Sequence, residues 1–173
     1  MNCFAFLILL FSAATLSAGQ LDLAVIRFGE VKDPSGLASA LSRVRLSEIA
    51  DADRTRTRES ELKNGTVLFA QSLPVSMPTT FASATRLGNS RSDVRGNFTG
   101  GKLAVEISLS EGVAVGIRNF EKRNYEGSAA ISAGPATILS IRETRSTAPT
   151  VVKGQSKMST STFTTIVAAQ YTP

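Results

Sequence analysis

The chain has 173 residues, a formal charge of +5 from 19 Lys and Arg against 14 Asp and Glu, one cysteine, no histidine and no tryptophan. That length fits one domain with appendages. Without histidine, and with its only cysteine at Cys3 in an apolar leader, the rest of the chain lacks the commonest general base, the commonest zinc ligands, a thiol nucleophile and any disulfide.

Residues 1–19 read as a signal peptide. They carry no charged side chain, run apolar from Phe4 to Phe11 over a span too short for a bilayer, and end in small residues suited to a peptidase. The protein is therefore expected to be exported, to the periplasm, the outer membrane or the exterior. A domain without disulfides points to a bacterial envelope. There the acceptor patterns Asn64-Gly65-Thr66 and Asn97-Phe98-Thr99 would be idle.

Leu21 to Val31 reads as a first strand, broken by Asp33-Pro34. Ser35 can cap a helix, and Leu37, Ala40, Leu41, Val44 and Ile49 recur at helical spacing, which predicts one amphipathic helix over 35–50 packed on a sheet. In Arg54-Thr55-Arg56-Thr57-Arg58 an extended chain puts Arg54, Arg56 and Arg58 on one face, the candidate anion-contact residues. Asp51, Asp53, Glu59 and Glu61 bracket them and no aromatic is interleaved, so nucleic acid is not an expected partner. Ser60-Glu61-Leu62-Lys63 matches the Ser-x-x-Lys of penicillin-recognising enzymes. It lies beside an Asn-Gly turn and lacks partner motifs, so no catalytic residue is assigned.

Asn64-Gly65 leads into a strand over Thr66–Ser72, stopped by Pro74 and Pro78. A hairpin follows, Phe81–Leu87 and Ser92–Phe98 about Gly88-Asn89. In Gly100–Ile117, GGKLAVEISLSEGVAVGI, Leu103, Val105, Ile107 and Leu109 alternate with Lys102, Ala104, Glu106 and Ser108: one dry face, one wet. Further strands are expected over Val113–Phe120, Arg123–Ser132 and Ala136–Arg145, the last with Ile138 and Ile141 on one face and Leu139 on the other. Val151–Ser156 and Thr162–Ala169 close the series. Glycines at steps of about ten residues give the rhythm of an antiparallel sheet or sandwich. The fold class is thus mainly β, sandwich-like, with one amphipathic helix near the N-terminus. The organisation is signal peptide 1–19, a β-rich domain 20–145 and a C-terminal β extension 146–173.

Several segments together resemble the core domain of the secretins, the ring-forming channels of type II and type III secretion and of type IV pili. They are Gln20–Val31 with its following helix, Thr57–Val75 with its Pro-Val step, Gly100–Leu109 after a Gly turn, and Arg123–Leu139 with small residues, a Gly turn and an apolar strand. The late segment lacks the family's Asp-Gly-Gln and Gly-Gly-Leu steps, and 146–173 has no counterpart. The resemblance implies a stand-alone secretin-like domain, non-enzymatic and without cofactors, acting by self-association or by docking to a secretion or pilus complex near the outer membrane. The alternative from the residues themselves is a periplasmic or extracellular β-sandwich module that binds an anionic ligand.

Overall fold

The computed structural model describes residues 19–29, 31, 34–41, 43, 45–51, 65–76, 78–87, 90–112, 120–152 and 155–173. The leader before Gly19, the arginines Arg54, Arg56 and Arg58, the Ser60–Lys63 tetrad and the strand expected from Val113 lie outside them. Eight strands and two short helices follow in the order β1 (Gly19–Phe28), α1 (Pro34–Leu41), α2 (Leu46–Asp51), β2 (Gly65–Val75), β3 (Thr79–Leu87), β4 (Ser90–Thr99), β5 (Lys102–Gly112), β6 (Phe120–Ala130), β7 (Thr137–Val152) and β8 (Gln155–Thr172). They form two four-stranded antiparallel sheets, β2-β1-β8-β7 and β3-β4-β5-β6.

β1 is apolar on both faces because both are covered. Leu21, Leu23 and Val25 meet the second sheet, packing with Val94, Phe98, Leu103, Val105 and Ile107. Ala24, Ile26 and Phe28 turn the other way, towards Leu37, Ala40, Leu41 and Leu46 of the helices. The result is three layers: helices, first sheet, second sheet. Burying each large aliphatic side chain contributes roughly 1.5–3 kcal/mol, and the fully buried set draws on all three layers.

The alternation of β5 holds as expected. Leu103, Val105 and Ile107 are buried while Lys102, Ala104 and Glu106 are exposed. A two-residue turn, Gly100-Gly101, closes the β4–β5 hairpin with both residues at positive φ (61° and 73°), which glycine adopts without penalty.

Three expectations need correction. The helix over 35–50 is two helices. Nine residues separate Leu37 from Leu46, about 180° apart on a continuous helix at 3.6 residues per turn. The break between Leu41 and Leu46 resets the phase, so Leu37 and Leu46 are both buried (8 % and 1 % exposed). A Gln170 side-chain carbonyl then accepts the Leu46 N–H at 2.8 Å. The strand expected to stop at Pro74 continues to Val75. β2 is an edge strand, where proline is tolerated because an outward N–H is not needed.

Finally, the separate strands of 136–145, 151–156 and 162–169 are two long ones. β7 runs 16 residues and β8 runs 18, with Val152 paired to Gln155 at the end of the ladder. A bulge between Ile138 and Ser140 absorbs the three-residue spacing of Ile138 and Ile141. Ile138 thereby reaches the helix-side core and Leu139 the inter-sheet core. The C-terminal stretch 146–173 thus supplies β8, whose later half lies between β1 and β7.

Candidate functional site

Where β6 and β7 face each other across the sandwich, Gly127 lets them touch. A Cβ there would stand 2.8 Å from the Leu139 Cβ and 2.9 Å from its backbone carbon. Because the two strands run antiparallel from the linker between them, Tyr125 and Arg123 lie on one side of this pinch opposite Arg142 and its neighbours. There the space between the sheets is a cavity of about 500 Å³.

Strand alternation decides what fills it. On β1 the inward series Leu21, Leu23, Val25 continues to Arg27. On β8 the series Tyr171, Ala169, Val167 continues to Thr165 and Phe163, with Thr165 paired to both Arg27 and Arg142. On β6 the inward series Ala129, Gly127, Tyr125 continues to Arg123, paired with Leu109 of β5. β1 and β6, from the two sheets, therefore switch from apolar residues to arginine at the same end, and Arg142 of β7 joins them beside Thr165. Arg27, Arg123 and Arg142, joined by Lys122 and Arg145, line the cavity together with Tyr125 and Phe163. The Arg27 guanidinium lies 5.3 Å from the centroid of the Phe163 ring, a cation–π contact that presents the group to the cavity.

An ion pair lies on the outer face of the second sheet. On the outer face of β4, Arg91 donates to both carboxylate oxygens of Asp93 at 2.8 Å. Those hydrogen bonds, chiefly, hold the Asp93 carboxyl below the usual range, with lesser help from the charges of Arg91, Arg95 and Lys122.

A second polar group is buried on the helix side of the first sheet. Asp22 is 3 % exposed and accepts hydrogen bonds from Gln20 Nε2 (2.8 Å) and Ser72 Oγ (2.5 Å). Register continues the row to Gln170, which holds Leu46 by its carbonyl and donates to the Gly134 carbonyl. This row ties α2 and the β6–β7 linker to the sheet. These bonds join side chains of the row to one another and to backbone groups of α2 and the linker, so its work is structural.

Sequence reasoning placed the anion contacts at Arg54, Arg56 and Arg58, outside the described residues, and passed over Arg27, Arg123 and Arg142. Their signal was the inward parity of each arginine on its own strand. Among the described residues no group of three or more His, Cys, Asp or Glu could hold a metal ion, and no helix is long and apolar enough to cross a membrane. No family model matches the chain, and no curated protein does.

Proposed function

We propose that this chain is a non-enzymatic, exported β-sandwich module that binds an anionic ligand in the cleft between β6 and β7. One observation carries the reading: Arg27, Arg123 and Arg142, arginines of inward parity from both sheets, line a single cavity. Arginine presents a planar fork of donors matched to oxyanions and is weakly hydrated, so it exchanges water for ligand at low cost. The volume falls within the range of ligand sites, and the aromatic rings give an organic ligand an apolar contact.

Calorimetric titration with inorganic tripolyphosphate tests it, at low ionic strength and at about 0.15 M salt. Binding is expected to weaken with salt. It should fall at least about tenfold in the Arg27→Ser/Arg142→Ser double variant, equivalent to about 1.4 kcal/mol, within the worth of one charge-assisted hydrogen bond. No heat at low salt, or an unaffected double variant, refutes the reading.

A second reading keeps the secretin-like role of assembly or docking to an envelope complex. Its support is the ribbon that β7 and β8 form beyond the sandwich. The β1 ladder ends at Phe28–Thr164, while β7 and β8 continue paired to Val152–Gln155. Residues 145–149 and 156–161 are exposed on both faces, Met158 most among the large apolar side chains at 70 %. Size-exclusion chromatography with light scattering separates the two. A heat-resistant multimer favours assembly, and a monomer that binds tripolyphosphate favours the binding module.

A further inference from the structure

We infer that the ligand of the cleft is an acidic polypeptide segment in extended conformation, which adds as a fifth strand to the open edge of β6. This rests on the anion-binding reading and names the ligand.

The first argument is backbone geometry. Among the described residues β6 is the terminal strand of its sheet and pairs with β5 alone. The Ile131 N–H is donated to the Gly101 carbonyl across from it at 2.8 Å, and the β5–β6 register runs without a shift from there to Phe120. In an antiparallel ladder, residues pointing at the partner alternate with residues pointing away. Odd-numbered residues of β6 therefore bond to β5. The N–H and C=O groups of Lys122, Asn124 and Glu126 point outward, a stretch of about 14 Å at 3.4 Å per residue. Beyond it, Gly127 is covered by Leu139. Such an edge is a template for strand addition, in which backbone hydrogen bonds supply affinity and side-chain positions supply selectivity.

The second argument is charge. A strand bonded to β6 lies about 4.8 Å from it in the plane of the second sheet, at the margin of the cavity that Lys122, Arg123, Asn124 and Tyr125 of β6 line. Its inward side chains stand beside Arg123 and Tyr125, on the side of the cavity that Arg27, Arg142 and Phe163 also line. Asp or Glu at every second position meets cations from both sheets. Lysine at those positions meets like charge at each one. A compact anion uses the guanidinium groups and leaves the outward amides of Lys122, Asn124 and Glu126 in water. An extended acidic chain uses both.

The test is fluorescence anisotropy with a labelled ten-residue peptide alternating Glu with Thr and Val. It is run against the same peptide N-methylated at alternate residues, its Lys-for-Glu counterpart and competing tripolyphosphate. The protein is used unaltered, as Arg27→Ser/Arg142→Ser, and as Asn124→Pro, which removes one outward donor and no cation. The expected result is binding of the acidic peptide that weakens at least tenfold on N-methylation in one of the two registers, at least tenfold in Asn124→Pro, and at least tenfold in the double arginine variant. The lysine peptide should not bind. Equal affinity for methylated and unmethylated acidic peptides, lost in the double arginine variant, overturns strand addition and leaves anion binding standing. Tripolyphosphate that binds where the peptide does not has the same meaning. Absence of binding by every anion overturns both. The methylated peptides decide the matter on the unaltered protein if Asn124→Pro does not fold.

Discussion

Phe98 and Tyr171 sit in different sheets and meet in the middle of the sandwich. Their ring centroids are 5.2 Å apart with planes at 84°, an edge-to-face arrangement. Phe98 is fully buried on β4, and Tyr171, 8 % exposed on β8, fills the space above Gly19, where a Cβ would fall 2.5 Å from the ring. Truncating Phe98 to Ala removes a buried ring from a packed interior, which costs about 3–5 kcal/mol. At about 2–4 °C per kcal/mol for a chain of this size, the melting temperature should fall by about 6–20 °C.

The sharper measurement is a double-mutant cycle with Phe98→Leu and Tyr171→Leu, followed by urea denaturation monitored by circular dichroism. Leucine keeps aliphatic bulk and removes the ring, so the coupling isolates the aromatic contact. It should be about 0.5–1.5 kcal/mol. A coupling indistinguishable from zero would show that β4 and β8 do not face each other, and the two-sheet packing that positions the cleft would fall with it.

Val105→Asp should cost several kcal/mol, because Val105 is 5 % exposed between Gly96 and Gly127 in the sheet register, with no cation to pair an inserted carboxylate. Glu106→Lys, one residue along on the wet face, should stay within about 0.5 kcal/mol; equal melting temperatures would mean the register of β5 is wrong. Asp93 should titrate below the ordinary carboxylate value of about 3.9, and Arg91→Ala should return it towards that value. A depressed folded pKa contributes stability above the unfolded value that is lost as pH falls through the folded one. The pair is exposed, so that contribution is small. Carboxyl chemical shifts followed by NMR check this, and an Asp93 that titrates at its ordinary value means the pair with Arg91 does not form in solution.

Local periodicity made much of the second sheet legible. β5 shows a strict period of two, Gly100-Gly101 marks its hairpin, and both follow from short-range sterics. The break in the helix was hidden because Leu37, Ala40 and Leu41 already satisfied a helical stripe, and only burial of Leu46 against the sheet forces the change of phase. The burial of Asp22 was not legible, since the pattern of a strand does not show whether a third layer covers its second face. The ribbon was hidden because the apolar pattern stops at Arg145 and resumes only at Val151, so local reasoning divides what is a continuous β7 running through Pro149. β7 lies at a sheet edge, where proline does little harm. Without that pairing nothing linked Arg142 to Arg27, which are 115 residues apart and meet through Thr165 of β8.

The cleft and the fold share one cause. Leu21, Leu23 and Val25 can be sealed between sheets because their removal from water is favourable. Arg27, next in the same inward series, cannot be sealed without a partner, since an unpaired buried guanidinium costs several kcal/mol. Arg142 imposes the same requirement from β7, beyond β8 in the same sheet, at the same end. The sandwich is thus free to close as far as the contact of Gly127 with Leu139 and must admit water beyond it. Replacing these arginines with leucine would extend the core at the expense of the cavity. The positions that limit the core are therefore the ones that line the cavity beside the β6 edge, which is unpaired among the described residues.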